Sequence, residues 1–256
     1  MTRSCIIHGV HSVRAAVRYD PAHVVEAWLD RRCHSGRWHT LRQQLEALSC
    51  PLHLVDRRQL DRLTSGQTHQ GVAIRYSGQP PQSEHELHAW LGGLGQDPLL
   101  LVLDQVQDPH NLGACLRTAS GAGVQAVITP RDRAVGLTPT VHKVAAGAVQ
   151  HIPLFQVTNL ARTLRELREA GIWLIGTAEQ ADITLYEADL RGPLALIMGS
   201  EDTGLRRLTR ECCDRLVRIP MLGTVSSLNV SVATGVVLYE AIRQRTQSFT
   251  TFPVQE

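Results

Sequence analysis

The chain has 256 residues, of which 43% are hydrophobic and 20% are charged, as in ordinary soluble globular proteins. It contains no apolar run long enough to cross a bilayer, and its first residues lack the pattern of a secretory signal, which excludes a membrane-spanning protein and predicts a cytoplasmic location. The net charge of +2 is uneven, because residues 1–78 carry 11 arginines and six acidic residues and therefore favour contact with a polyanion.

Residues 1–76 alternate short apolar runs with arginine-rich helical stretches, which predicts a small α/β domain. The predicted helices are Ser12–Arg18 and Thr40–Leu48, and the predicted strands are Cys5–His8, Val24–Leu29, Leu52–Val55 and Gly71–Ile74. Residues 77–97 are rich in Gly, Pro and Gln, so we interpret them as an interdomain linker that contains a short helix.

From residue 98 onward, strands and helices alternate regularly. The run Leu99–Val106 is almost continuously apolar, as expected of a strand that is buried on both faces. Thr138 and Asn159 are positioned to cap helices, and Gly171 to end one. Residues 98–256 are therefore predicted to form a mostly parallel sheet with helices on both faces, with further strands at Ala126–Ile128, Ile152–Val157, Ile172–Gly176, Leu194–Met198 and Leu216–Ile219.

The sequence contains one dinucleotide-like pattern and several Cys and His residues, but neither has the context that a binding site requires. Residues 121–126 match the G-x-G-x-x-A dinucleotide pattern, but a helix precedes these glycines and a strand follows them, which is the reverse of the nucleotide-binding order. They are interpreted as a helix end and a turn. The six cysteines form no C-x-x-C pair, and His8 and His11, at i, i+3 spacing, are the histidines that most suggest a metal site. We expect no disulfide and no metal site.

Three polar stretches follow predicted strands, where the ligands of open α/β sheets bind. In the first, Asp108–Arg117, Asn111 is expected to cap the next helix, and Arg117 lies among apolar residues where an unpaired guanidinium is costly. The second, Leu196–Leu205, has a glycine turn and an acidic residue, which by itself is compatible with an ordinary surface turn. The third, Ile219–Gly235, is rich in Ser and Thr and precedes a helix, a natural site for a polar ligand.

Together these stretches resemble the signature motifs of the SpoU/TrmH family of RNA 2′-O-ribose methyltransferases, which belong to the SPOUT class. The motifs N-x-G-x-x-x-R, M-G-x-E-x-x-G and I-P-M-x-G-x-x-x-S-L-N-V-S-V-A occur in this order, and the resemblance covers residues 98–245. Ile7–Val13 and Thr68–Ala73 resemble parts of the small ribosomal-protein-L30e-like domain of many members. The whole chain is most similar to members that methylate a guanosine in the peptidyl-transferase P-loop of 23S rRNA.

The resemblance implies a trefoil (α/β) knot in the C-terminal part and a homodimer with active sites at the subunit interface. It also implies that S-adenosylmethionine supplies the methyl group without a metal, and that backbone groups of three loops contact it. Carried over to this chain, the expected donor contacts are Thr177, Ala178, Gly199, Gly204, Ile219 and Leu228.

For catalysis, the family's motif residues correspond to Asn111, Arg117, Glu201, Ser227 and Asn229. The family favours Arg117 for assisting proton loss from the ribose 2′-hydroxyl. Neutralising a guanidinium at pH 7 costs roughly 7 kcal/mol, so we expect Arg117 to position the ribose and its phosphate instead. Glu201 and Asn229 are expected to hold Arg117 and the loops, and Ser227 to contact the substrate or Asn229.

Three functions remain open from the sequence. The resemblance favours a 23S rRNA guanosine methyltransferase, with structured RNA held by N-terminal arginines that include Arg31, Arg32, Arg57 and Arg58. A tRNA ribose methyltransferase of the same family is the nearest alternative. The third is a non-catalytic RNA-binding protein of ribosome assembly, which has no need of the full set of motif residues.

Overall fold

The computed structural model describes residues 4–19, 21–32, 36–77, 81–200 and 203–247. Contacts between residues divide the chain into two compact units. The first comprises residues 1–80 and 137–151, and the second comprises residues 81–136 and 152–256. Most of the predicted linker, from residue 81 onward, therefore groups with the C-terminal unit, whereas residues 137–151 group with the N-terminal one.

The N-terminal unit is built on a four-stranded sheet of order β1-β4-β2-β3. Strands β2 and β3 are parallel, and the other two neighbouring pairs are antiparallel. The fully buried side chains of Val13, Leu41 and Ile74 form part of the core between this sheet and its helices. All four predicted strands are confirmed; in chain order the elements are β1 (Cys5–His8), α1 (Val10–Tyr19), β2 (Val24–Asp30), α2 (Gly36–Glu46), β3 (Leu52–Val55), α3 (Arg57–Leu63) and β4 (Val72–Tyr76).

The two N-terminal motif stretches meet where β1 ends and β4 begins. The backbone N–H of Val10 donates to the Oε1 of Gln70 at 3.1 Å. Buried His8 places one ring nitrogen 2.9 Å from the Oε1 of Gln67 and the other 3.2 Å from the carbonyl of Thr68. Both ring nitrogens of His8 therefore have partners in the second motif stretch.

The C-terminal unit contains eight described strands, all parallel to their neighbours, in the order β10-β12-β9-β11-β6-β7-β8-β5. The predicted strands are confirmed, and two edge strands of two residues were not predicted because such short strands have no readable pattern. In chain order the elements are β5 (Gln82–Ser83), α4 (Glu84–Leu91), β6 (Leu99–Leu103), α5 (Pro109–Gly121), β7 (Ala126–Pro130), α6 (Pro139–Ala145, in the other unit), β8 (Leu154–Val157), α7 (Leu160–Glu169), β9 (Trp173–Thr177), β10 (Ile183–Thr184), β11 (Leu194–Met198), α8 (Arg207–Cys212), β12 (Arg215–Arg218) and α9 (Val230–Gln247).

Helices cover both faces of this sheet, as expected. Side chains of α4, α7 and α8 join one core with alternate residues of the strands. On the opposite face α5 packs against α9, which contacts β11. Asn159 caps α7 by accepting the N–H of Arg162 at 3.1 Å, and Thr138 caps α6 by accepting the N–H of Val141 at 3.3 Å. Both predicted caps are confirmed.

The glycines of the dinucleotide-like pattern form a helix end and a turn, as predicted. Helix α5 ends at Gly121, Gly123 has a φ of +70°, and β7 begins at Ala126. A positive φ suits glycine because it has no Cβ. Among the described residues, no helix is long and apolar enough to cross a membrane.

Candidate active site

The three loops expected to contact a methyl donor follow three neighbouring strands. Strands β12, β9 and β11 are adjacent and parallel, so the loops that begin at their carboxyl ends leave the same edge of the sheet. The N–H of Ala178 donates to the carbonyl of Val217 at 2.9 Å, and the Oγ1 of Thr177 donates to the carbonyl of Ile197 at 3.4 Å. The fold thus brings together segments that are 20 and 39 residues apart in sequence.

The chain after β11 turns back on itself, and we call its described residues, 199, 200 and 203–205, the closed loop. Ser200 and Gly204 exchange two backbone hydrogen bonds of 3.1 and 3.0 Å. A Cβ on Gly199 would lie 2.2 Å from the carbonyl carbon of Gly204, so this close approach requires glycine. Gly204 itself has a φ of +64°, which glycine adopts without strain. Glu201 lies outside the described residues.

The loop after β12 is built differently, and we call residues 219–228 the open segment. No backbone hydrogen bond joins any of its residues to another described residue, apart from bonds that belong to a helix or strand. The side chains of Leu222 and Val225 are 99% and 62% exposed, and Ser227 is also exposed. Ile219 and Leu228, at its two ends, are half-buried. Its backbone N–H and C=O groups are available to a ligand.

Asn229 joins the end of the open segment to two helices. Its Oδ1 accepts the backbone N–H of Ser231 at 2.9 Å, as a residue capping the N-terminus of α9 does. Its Nδ2 donates to the Oδ1 of Asn111 in α5 at 3.1 Å. Asn229 therefore fixes the start of α9 and ties it to the helix that follows β6.

The expectation that Asn111 caps α5 is wrong. Asp108 is the capping residue, and its carboxylate accepts the N–H of His110 at 2.9 Å. The helix starts at Pro109, so Asn111 lies within the first turn of the helix. Its buried side chain faces Asn229. The sequence did not distinguish the two candidates, because Asp and Asn both cap helices well and Asp108 and Asn111 stand only three residues apart.

The environment expected for Arg117 is also corrected. Arg117 is an exposed residue of α5, although Cys115, Leu116 and Ala119 around it are fully buried. Residues one or two positions away on a helix point to other faces, so apolar neighbours in sequence do not imply burial. Within the described part of the chain, Arg117 has no side-chain partner. Its guanidinium is available to an anionic or hydroxylic ligand.

A buried ion pair that the motifs did not predict lies beside these loops. Asp104 directly follows β6 and is fully buried, and its Oδ1 is 2.6 Å from the Nη2 of Arg206. The one sequence signal was an acidic residue at the end of a strand that is otherwise apolar. Next to β9, the thiol of Cys213 lies close to Gly176, and burial raises its pKa to about 12.

Among the described residues, no group of three or more His, Cys, Asp or Glu side chains is arranged to hold a metal ion. Among the described residues at the carboxyl edge, the chemically useful groups are the unbonded backbone of the open segment and the Asn111–Asn229 pair. The exposed guanidinium of Arg117 lies about two turns from the start of α5. This set can bind a polar organic ligand and orient a second, anionic one.

Comparison with protein-family models matches residues 98–239 to the SpoU rRNA Methylase family. Residues 6–82 match a family described as RNA 2′-O ribose methyltransferase substrate binding. Among sequence relatives, the 23S rRNA (guanosine-2′-O-)-methyltransferase RlmB of Shewanella oneidensis is 51% identical, over 96% of this chain and 99% of the relative. The protein of the same name from Pseudomonas aeruginosa is 52% identical, over 94% of this chain and 96% of the relative.

Solved structures of methyltransferases are also similar to this chain. The SpoU methyltransferase AviRb from Streptomyces viridochromogenes, in complex with AdoMet, is similar with a TM-score of 0.79 and 25% identity, covering 95% of this chain and 91% of that one. An RNA 2′-O ribose methyltransferase has a TM-score of 0.75 and 27% identity, covering 96% of this chain and 90% of that one. Both similarities extend over both units of the chain.

Proposed function

Because the chain belongs to the SpoU rRNA methylase family, we propose that it transfers a methyl group from S-adenosylmethionine to the ribose 2′-hydroxyl of a guanosine in 23S rRNA. The observation that carries this proposal is the identity of 51% over nearly the full length of a 23S rRNA guanosine methyltransferase. The N-terminal unit binds the RNA substrate, as its family match indicates. The reaction needs no metal.

The residues at the carboxyl edge suit S-adenosylmethionine. The open segment offers backbone donors and acceptors that have no partners among the described backbone groups, next to exposed apolar side chains such as Leu222. Such a surface can take both the polar edge and the apolar faces of an adenine ring. We assign the donor contacts to both loops and to the end of β9, through Thr177, Ala178, Gly199, Gly204, Ile219 and Leu228.

The chain's own contribution to methyl transfer is to place the attacking ribose oxygen. When bound, S-adenosylmethionine supplies a sulfonium-activated methyl group. Arg117 is assigned to hold the target ribose and the adjacent phosphate, since a guanidinium binds phosphate in two-point geometry. Asn229 and Asn111 fix the relation between α5 and the donor loops, and Ser227 is assigned a hydrogen bond to the substrate. Glu201 is assigned, from the motif, to hold Arg117.

The function is tested by mapping ribose methylation in 23S rRNA and tRNA of a deletion strain. The expected result is the loss of one 2′-O-methylguanosine from 23S rRNA, restored by the wild-type gene. Loss of a tRNA methylation instead identifies a tRNA enzyme of the family. Unchanged methylation, together with no binding of S-adenosylhomocysteine in calorimetry, identifies a non-catalytic RNA-binding protein.

The role of Arg117 can be tested by substitution without loss of the fold, because exposed side chains contribute little to stability. We expect Arg117→Ala to lower the kcat for rRNA by at least 100-fold, with donor affinity and melting temperature unchanged. Arg117→Lys is expected to remain impaired, since an ammonium cannot make the two-point contact. Arg165→Ala, at an exposed position of α7, is the control. Near-normal turnover of Arg117→Lys contradicts the positioning role.

The arginines of the N-terminal unit are proposed to hold structured RNA. Arg57 and Arg58 begin α3 and are exposed, and Arg31 and Arg32 are exposed beyond the end of β2. Replacing Arg57 and Arg58 with Glu is expected to weaken rRNA binding and to reduce its salt dependence, while donor affinity stays constant. An unchanged salt dependence places the RNA on another surface.

We also propose that the protein is a cytoplasmic homodimer with the trefoil knot that the family resemblance implies. An exposed apolar face of α9 supports the dimer. Val232 and Tyr239 are 53% and 55% exposed and lie seven residues apart, hence on one face of the helix. Val232→Asp is expected to give monomers in sedimentation experiments and to reduce activity. If the variant remains a dimer of unchanged stability, the interface lies on another surface.

A further inference from the structure

Both carboxylate oxygens of Asp104 are occupied by a single residue. Its Oδ2 accepts the backbone N–H of Arg206 at 3.1 Å, and its Oδ1 accepts the Nε–H of the same residue at 2.7 Å. The side chain of Asp104 is fully buried, whereas that of Arg206 is 37% exposed. The N–H of Asp104 also donates to the carbonyl of Met198, the last residue of β11, at 2.8 Å.

The positions of these two residues make the ion pair a link between the two sides of the site. Arg206 stands between the closed loop and α8. Asp104 stands between β6 and the segment that leads to α5, the helix that carries Asn111 and Arg117. The pair therefore fixes the exit of the closed loop, on the donor side, to the strand that precedes the ribose-side helix.

A stabilising role alone does not require an ion pair here. Removing a carboxylate from water is costly, and a well-packed apolar pair of similar volume is often as stable or more stable. An apolar pair, however, makes no directional hydrogen bonds. The planar guanidinium and the backbone N–H of Arg206 approach a single carboxylate together, which fixes both the position and the rotation of the chain at residue 206.

We infer that Asp104 and Arg206 are positioning residues that hold the closed loop in its donor-binding conformation. The inference rests on the proposed function, since it takes the closed loop to be part of the donor site. Neither residue is assigned a contact with the donor. Both act through the closed loop, in which Ser200 and Gly204 are joined by two backbone hydrogen bonds.

The first test is Arg206→Lys, which keeps the counterion of Asp104 and removes the planar fork. We expect the Kd for S-adenosylhomocysteine, measured by calorimetry, to rise about tenfold, while the KM for rRNA is unchanged. Arg207→Lys is the matched control, because Arg207 is the next residue and forms an exposed pair of 2.5 Å with Glu211. An unchanged Kd in folded Arg206→Lys overturns the inference.

The second test separates positioning from stability. The double variant Asp104→Leu with Arg206→Met replaces the pair with apolar side chains, and we expect it to melt at or above the temperature of Arg206→Lys. Its affinity for S-adenosylhomocysteine is expected to stay at least tenfold below wild type. If affinity recovers to the wild-type value together with stability, the pair is only structural.

The third test needs no variant and no donor. In hydrogen exchange of the wild-type protein, the amides of Ser200, Gly204 and Arg206 are expected to exchange at least 100-fold more slowly than those of the open segment. Equal rates overturn the inference. Titration of the wild type with S-adenosylhomocysteine tests the proposed function separately: absence of binding refutes that function, whereas the exchange rates still decide whether the pair fixes the loop.

Discussion

The closed loop and the open segment leave the same edge of one sheet, but their backbones are held in different ways. In the closed loop, Ser200 and Gly204 exchange hydrogen bonds, Gly199 packs against the chain at Gly204, and Arg206 is anchored by Asp104. The open segment has no such bonds among the described residues and exposes Leu222 almost completely.

This difference indicates that the two loops contribute to ligand binding in different ways. The closed loop loses its conformational freedom during folding, so it can meet a ligand without further ordering. The open segment keeps free backbone groups and becomes ordered only when a ligand satisfies them. The closed loop should therefore be sensitive to steric change, and the open segment to the presence of the ligand.

The largest expected effect comes from adding one methyl group to the closed loop. In Gly199→Ala the new Cβ would lie 2.2 Å from the carbonyl carbon of Gly204 and 2.4 Å from the nitrogen of Leu205, so the backbone must move. We expect at least 100-fold weaker binding of S-adenosylhomocysteine in calorimetry. Gly223→Ala in the open segment is the control, because its Cβ meets no atom within 4 Å. Equal effects of the two changes contradict the comparison.

The next effect is expected at the junction of the open segment with α9. Asn229→Ala removes both the cap of α9 and the bond to Asn111, so stability should fall by about 1–2 kcal/mol in urea denaturation. Methyl transfer should fall about tenfold or more. Asn159→Ala is the matched control, since it removes the cap of α7 on the other face of the sheet. It should lower stability by about 1 kcal/mol and leave transfer unchanged.

Ligand binding should protect the open segment selectively. Leu222 is 99% exposed, which makes the bond before it a good site for thermolysin. We expect saturating S-adenosylhomocysteine to slow cleavage there about tenfold, as followed by mass spectrometry. Little change is expected in the exchange of the amides of Ser200 and Gly204. Protection confined to the closed loop would reverse the assignment of the two roles.

The smallest effect concerns the packing beside the closed loop. Burial raises the pKa of Cys213 from 9.0 to about 12, so about one thiol in 10,000 is ionised at pH 8. Because the folded pKa is the higher one, this thiol's contribution to stability is complete below pH 9 and is lost as the pH rises towards 12. Native Cys213 should resist iodoacetamide at pH 8 and react in urea. Fast alkylation of the native protein indicates that this packing opens.

The local patterns of the sequence predicted much of this protein. Apolar runs and their spacing located most strands of both sheets, and the caps at Thr138 and Asn159 were found from residue type and position alone. The three motif stretches indicated the edge at which the loops gather. These features depend on residues within one helical turn or one strand of each other, so they can be predicted from the order of residues in the sequence.

Only the tertiary structure decided which groups meet across the site. Asp108 rather than Asn111 caps α5, and the side chain of Arg117 points to solvent although its neighbours in sequence are buried. Arg206 reaches Asp104 across 102 residues of sequence, and Asn229 reaches Asn111 across 118. Such pairs are set by the order and direction of the strands, and no local periodicity records which strand lies next to which.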